Sequence, residues 1–192
     1  MNQFEAFFNS KPVNSAFREF FGTNPLSQLL DQTNPLAEMT HKRRLSCLGL
    51  DGISRETAGM AIRGIHPTHY GRICPIETPE GQNAGLVNSF TIYAHLNPQG
   101  LLETPFYSTY QGFVVSETTH LLASEHEQKV RLAPGDTPLT PFHFLPKLGT
   151  IASRQARDFT RVGRSLVHYI GTTPLQMISI GTSLIPFLQH DD

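Results

Sequence analysis

Short helical spacings fill the first third of the chain, and short β-type runs follow residue 100. Residues 13–21 (VNSAFREFF) and 25–31 read as two short helical pieces, broken by Gly22 and the Asn24-Pro25 turn. A better-marked helix follows, with Asn34 as N-cap and Pro35 at the first helical position. Its Leu36, Met39 and Arg43 share one face, and His41, Arg44 and Leu48 lie on a neighbouring one. LGLDGISRETAG (48–59) has three glycines and a central Asp-Gly, which predicts a mobile loop. HPTHYGRICPIETPEG (66–81) contains three prolines and two glycines but also Ile73 and Ile76, so it is expected to be ordered and irregular. A helix over about 83–95 is predicted next, ending before Asn97-Pro98-Gln99-Gly100. LLETPFY, GFVVS, HLLAS and KVRLA then have β character, and the proline-rich 133–149 reads as a loop. Arg154, Arg157, Arg161 and Arg164 would form one stripe on a helix, and LQMISIGTSLIPF (175–187) predicts a β-rich end. The expected class is α+β, with short helices and irregular loops before a β-rich C-terminal half.

Composition changes this picture in two ways. Charged residues make up only 16% of the 192, against about 25% in a typical soluble domain. That fits either a surface rich in uncharged polar groups or one largely covered by neighbours. The net charge of −1 also hides an uneven distribution: residues 39–72 and 147–164 each carry +4 and the rest carries −9. Local patches of this kind, rather than the total, set the potential felt by a phosphate chain. Cys47 and Cys74 provide neither a disulfide framework nor a four-ligand zinc pattern. There is no secretory signal pattern at the start and no apolar run approaching a membrane span, so an intracellular chain without membrane insertion is expected.

No self-contained active site emerges. His66, His69 and Cys74 lack a fourth ligand, and satisfied structural histidines are the better reading. Glu77 and Glu80 flank Thr78-Pro79, where carboxylates three apart diverge. Asp191 and Asp192 lack the further oxygens of a Mg²⁺ site. QLLDQTNPLAEMTHKRRLS (28–46) is richer. It gathers amide, imidazole, hydroxyl, guanidinium and ammonium groups around few apolar anchors, without stacking aromatics. Such a set holds a nucleic-acid backbone without reading bases.

FFGTNPLSQLLDQTNPLAEMTHKRRLSCLG (20–49) and IHPTHYGRICPIETPEGQNAGLVNS (65–89) resemble the β subunit of bacterial-type, multisubunit DNA-directed RNA polymerase. NSKPVNSAFREFF (9–21) and SIGTSLIPFLQHDD (179–192) resemble flanking stretches of the same subunit. The similarity is dense over 9–107 and 174–192 and weak over about 117–170. The wording AEMTHKRRLS and PEGQNAGL is most similar to the cyanobacterial and plastid branch. LGLDG, in place of the usual LGPGG, favours a plastid (chloroplast) over a cyanobacterial cytoplasm.

The resemblance implies an internal piece of a much longer multidomain subunit, from a split gene or a partial sequence, and not an autonomous fold. Residues 1–30 would end the protrusion. Residues 31–192 would make up most of the fork, with a hybrid-facing helix-and-loop part (31–100) and a β-rich variable part (101–192). The function implied is DNA-templated RNA synthesis from ribonucleoside triphosphates, a nucleotidyl transfer. The implied partners are the β′ and α subunits, a sigma-type factor, the DNA template and the nascent RNA. Catalytic Mg²⁺ would be held by aspartates of β′, so neither a catalytic nor a metal-binding residue is carried over. The wall beside the RNA, which in this family is also the rifamycin pocket, is matched in three stretches: Leu26, Ser27, Gln28, Leu29 and Asp31; then His41, Arg44, Ser46 and Leu48; then Pro79, Glu80, Asn83 and Val87. Of these, Gln28, His41 and Arg44 would face the RNA backbone. Leu29 stands where the family commonly has Phe, and Pro25 where it has Gln. The 49–60 loop matches the fork loop near the point of DNA strand separation. A stand-alone, non-catalytic nucleic-acid-binding or assembly module is the alternative, and would show a sharp cooperative melt. The fragment reading instead predicts that the isolated chain is poorly soluble and partly unfolded.

Overall fold

The computed structural model describes residues 8–191. Helix α1 (Lys11–Thr23) is one continuous element that runs through Gly22. Residues 25–31 are extended and turn-like rather than helical, because Asn24 leaves the helix in an extended conformation and its side chain accepts from the Leu26 amide. None of the residues of α1 is buried, and its Val13, Phe17, Phe20 and Phe21 are exposed. Helix α2 (Pro35–Lys42) starts where the sequence marks it, with the Asn34 side chain accepting from the Ala37 amide at 2.8 Å.

The chain then turns into β1 (Arg44–Ser46), passes the 48–59 loop and forms the single turn α3 (Met60–Arg63). Strand β2 (Val87–Ser89) returns antiparallel to β1, with Arg44 opposite Ser89 and Ser46 opposite Val87. The helix expected over 83–95 is therefore absent. Gly85 (φ +74°) stops any helical path, and the following backbone bonds sideways: the Cys47 amide donates to Leu86 O and the Phe90 amide to Arg43 O. A Cβ at Gly85 would lie 2.5 Å from Arg63 O, so only glycine fits this crossing.

The C-terminal half is a seven-stranded sheet. Strand β3 (His95–Leu96) pairs with the start of β4 (Leu102–Tyr110), and β4 forms a long hairpin with β5 (Phe113–Ala123). Its two-residue turn places Gln111 (φ 51°) and Gly112 (φ 84°) in the left-handed region, as a tight hairpin demands. GFVVS and HLLAS thus belong to one strand, interrupted by a register shift opposite Tyr107 and Ser108. After the turn α4 (Ser124–Glu127) come β6 (Leu132–Ala133), the expected proline-rich loop, β7 (Ile151–Gln155), β8 (Asp158–Val162) and β9 (Tyr169–Gly171). The order is β3-β4-β9-β6-β7-β8, with β5 on the other edge of β4.

The arginine stripe expected over 154–164 is not helical. Ala156 (φ 53°) sits at the tight β7–β8 turn, so the basic residues are divided between two strands and their flanks. The β-rich end is likewise replaced by a 3₁₀ turn at Pro174–Met177, the turn α5 (Ile180–Ser183) and a second 3₁₀ turn at Leu188–His190. Ser179 decides this locally, because its hydroxyl accepts from the Thr182 amide as an N-cap.

The apolar core sits in the β half, around Val114, Ala133, Leu145, Ile151, Val167 and Ile170. The segment 71–91 is fastened to it by polar contacts. Arg72 donates to the carbonyls of Tyr70, Leu102 and Leu122 and to Glu127. Large apolar side chains on the remaining surface are widely exposed, Leu29 at 97% and Met60 at 85% among them. Among the described residues no helix is long and apolar enough to cross a membrane.

Candidate nucleic-acid interface

His41 organises the segment that precedes its own helix. Its Nδ1 accepts from the Asp31 amide at 3.0 Å, which fixes the neutral tautomer with the proton on Nε2. Nε2–H then donates to Gln28 Oε1 at 2.8 Å. One imidazole thus ties residues 28 and 31 to α2. Gln28 Oε1 is occupied, while its amide NH₂ has no partner among the described residues. Asp31 Oδ1 accepts from the Thr33 hydroxyl at 2.8 Å and the Thr33 amide at 3.2 Å. The Thr33 hydroxyl foremost, and then its amide, hold the Asp31 carboxyl below the usual carboxylate range. Because the folded value is depressed, this turn is favoured at neutral pH and loses that support as pH falls through the folded value.

His41→Ala is expected to raise hydrogen exchange at the Asp31 amide about five- to tenfold, the worth of one ordinary hydrogen bond. Global stability should change little, and NMR-detected exchange reads this directly. Unaltered protection at Asp31 would remove the imidazole from this role.

The three basic residues at the end of α2 have separate fates. Lys42 pairs with Glu38 one turn earlier, at 2.8 Å. Arg43 turns inward, donating to Thr91 O at 2.6 Å and lying over the Phe90 ring. Arg44 is exposed, with no salt bridge among the described residues. Its guanidinium is therefore the one of the three left available to an external anion.

A groove of about 500 Å³ runs along this face. From the predicted stretches its wall takes Leu26 and Gln28, then His41, Arg44, Ser46 and Leu48, then Asn83 and Val87. The β1–β2 ladder brings the second and third stretches side by side, and the His41–Gln28 bond draws in the first. Ser27, Leu29, Asp31, Pro79 and Glu80 are not on the wall, although Asp31 is bonded to His41 behind it. Sequence reasoning missed Arg55, which reaches the groove from the 48–59 loop, and Leu45, whose place between Arg44 and Ser46 in a strand was the available signal. The loop itself is closed tightly by the Ile53 amide donating to Cys47 O, and Asp51 takes a left-handed conformation (φ 62°).

The other candidates are locally engaged. His69 Nδ1 accepts from the His66 amide; its burial foremost, with His66 beside it, holds its imidazole below the usual value. Cys74 lies against Thr182, away from that pair's hydrogen bonds. Glu77 packs beside α5, whereas Glu80 is exposed. Among the described residues no three His, Cys, Asp or Glu side chains are grouped to hold a metal ion. Asp192 lies outside the described residues.

The family description RNA polymerase Rpb2, domain 3, matches residues 28–96, the stretch that carries α2, both strands of the small ladder and the whole groove wall beyond residue 26. This stretch is therefore similar to domain 3 of Rpb2-type RNA polymerase subunits. It is 63% identical over 192 residues to the DNA-directed RNA polymerase subunit beta of Tupiella akineta, covering 100% of this chain and 9% of that protein. It is 59% identical over 187 residues to the DNA-directed RNA polymerase subunit beta N-terminal section of Stigeoclonium helveticum, covering 97% of this chain and 27% of that one. The corresponding N-terminal section of Chlamydomonas reinhardtii is 56% identical over 185 residues, 96% of this chain and 22% of that protein. The chain corresponds to a segment of DNA-directed RNA polymerase β subunits, and it spans between 9% and 27% of the length of these relatives.

Proposed function

We propose that this chain forms part of the β subunit of a DNA-dependent RNA polymerase, and that its groove holds the backbone of the nascent RNA within the RNA–DNA hybrid. The observation that carries the reading is the groove itself. It joins motif stretches distant in sequence and presents Arg44, a guanidinium without a salt bridge among the described residues, together with Arg55, Lys42 and neutral hydrogen-bonding groups and no stacking aromatic. Such a surface binds phosphate and sugar alike in every register. A polymerase needs this, because the hybrid must be held firmly and still slide by one nucleotide in each cycle. The contribution to catalysis is positional: Gln28, His41 and Arg44 restrain the RNA so that its 3′ end stays aligned for attack on the α-phosphate of the incoming nucleotide.

In this reading residues 1–30 end the protrusion and 31–192 form most of the fork. The thirteen residues matched to the rifamycin wall form or border the inhibitor pocket. Mg²⁺ is carried by the β′ partner and not by this chain. The α subunits, a sigma-type factor and template DNA complete the assembly. Relatives from green algae, some named as N-terminal sections of the subunit, support a plastid location.

Arg44→Ala in reconstituted polymerase is expected to destabilise short transcripts by about 1 kcal/mol, a roughly fivefold change. Abortive release should rise by that factor on every promoter tested, and the salt dependence of transcript retention should become shallower by about one ion. An unchanged ratio of abortive to full-length RNA would overturn the assignment.

A further inference from the structure

The second basic cluster, residues 147–164, takes no part in the groove. Two of its arginines instead converge on a separate cavity of about 500 Å³, bounded by the 66–68 turn, α4 and the β7–β8 turn. The charge balance beside this cavity is unusual. The Glu127 carboxylate, 3% exposed, receives Arg72 on one oxygen at 2.7 Å and Arg154 on the other at 2.9 Å. Arg72 is 2% exposed and Arg154 is 11% exposed, so two buried cations share one buried anion. The Tyr70 ring lies 4.4 Å from the Arg154 guanidinium and offsets part of the excess. A full positive charge nonetheless remains on this nearly buried group, and uncompensated buried charge is costly.

The next arginine adds to that excess. The Arg157 guanidinium lies 3.0 Å from His66 Nε2, so its neighbour is an imidazole and not a carboxylate. His66 Nδ1 faces the Thr68 hydroxyl at 2.9 Å and accepts from the Thr68 amide at 3.3 Å. Thr68, Ser124 and Gln128 complete the wall with hydroxyl and amide groups. Asp158, exposed beside Arg157, is the one further acid on the wall. Counting Arg72 behind Glu127, three guanidinium groups face two carboxylates.

We infer that this cavity is a binding site for a phosphoryl group, free or as a monoester, with Arg157 and Arg154 as the charged donors and Thr68 and Ser124 as neutral ones. Guanidinium forks match phosphate oxygens geometrically, and hydroxyls supply the remaining hydrogen bonds. A concave site of this size suits a single phosphoryl group with a small substituent, and inorganic phosphate and a nucleoside monophosphate share that chemistry. The site is distinct from the groove and does not depend on the groove's role.

The test uses the native polypeptide carrying these residues, purified with the subunits that accompany it. Equilibrium dialysis against radiolabelled inorganic phosphate and, separately, AMP is expected to show saturable binding with one site per chain. Arg157→Gln should weaken both ligands at least tenfold while leaving the melting temperature unchanged, since Arg157 is exposed. Arg157→Lys should recover part of the loss, and Arg161→Gln, whose guanidinium bonds instead to Thr150, should change nothing. AMP binding more than tenfold tighter than phosphate identifies a nucleotide as the ligand, and equal affinities identify phosphate itself. Non-saturable uptake, several equivalent sites per chain, or equal binding by the Arg157→Gln variant would overturn the proposal. So would binding of a dicarboxylate with no binding of phosphate, which would indicate an acidic protein partner. Abortive transcription, the readout for Arg44, should be unmoved by Arg157→Gln, so either reading can fail without the other.

Discussion

Glu127→Ala is expected to destabilise the fold by about 3–5 kcal/mol, the range for removing one member of a buried ion group. The cost does not lie in the lost pair attraction. It lies in what is left behind: Arg72 and Arg154 are nearly buried, and without the carboxylate their like charges face each other with nothing between them. Arg72 cannot swing out to water, because it also donates to the carbonyls of Tyr70, Leu102 and Leu122. Those bonds fasten the irregular segment to β4 and β5, so the variant should loosen the joint between the two halves of the chain. Glu125→Ala, two residues away and exposed, serves as the control and should stay within about 0.5 kcal/mol of the parent. Urea denaturation of the native polypeptide compares the two, and equal midpoints would mean that the triad does not hold the halves together. Glu127→Gln should fall between them, because a neutral amide offers one acceptor where the carboxylate offered two.

Nothing in the sequence announces this triad. Arg72 sits in an irregular run, Glu127 in a short polar turn and Arg154 in what reads as a basic stripe, so only the folded sheet brings them together. Features written in local chemistry were legible. Asn34-Pro35 specifies the start of α2 through a side-chain cap and a fixed φ, and both lie within four residues of the atoms they serve. The alternating runs of β4 and β5 were readable for the same reason, since the period of a strand is set by its own pleat. The stretch 83–95 misleads because Leu86, Val87, Phe90 and Ile92 carry apolar spacing compatible with a helix. Its backbone partners lie at Cys47, Arg43, Arg72 and Ile178, beyond any local window. The end of the chain misleads in the opposite sense: alternating apolar residues suggest strand, yet Thr173-Pro174 and the Ser179 cap start helical turns.

The groove shows the same division. The kinds of residue needed near a phosphate backbone were plain in 28–46, and the β1–β2 ladder explains why the 79–87 stretch contributes Asn83 and Val87. What could not be read was the sorting of adjacent cations. Lys42, Arg43 and Arg44 look equivalent along the chain, and their roles are set by one turn of backbone at the end of α2. The turn sends Lys42 along the helix, Arg43 into the protein and Arg44 to solvent.

That sorting predicts opposite phenotypes for neighbouring substitutions. Arg43→Ala removes a charged donor from Thr91 O and from Ile92 O, and strips the cation from the face of Phe90. Hydrogen bonds to charged groups contribute about 1.5–3 kcal/mol each when a buried partner is left unmet, so a loss of about 2–4 kcal/mol is expected. Thr91 is fully buried and its amide and hydroxyl bond to Arg72 O and Gly71 O, so the damage spreads to the same joint that Glu127 holds from the other side. Arg44→Ala, one residue on, should leave stability within about 0.5 kcal/mol, because its exposed side chain makes no salt bridge or side-chain hydrogen bond among the described residues. Denaturation midpoints and abortive transcription measured on both variants then form a crossed pair. Arg43→Ala should move the midpoint strongly. Arg44→Ala should move only transcript retention. If Arg43→Ala instead kept its midpoint and released short RNAs as readily as Arg44→Ala, the inward course of Arg43 would be wrong, and both arginines would have to be counted as contacts to the RNA backbone.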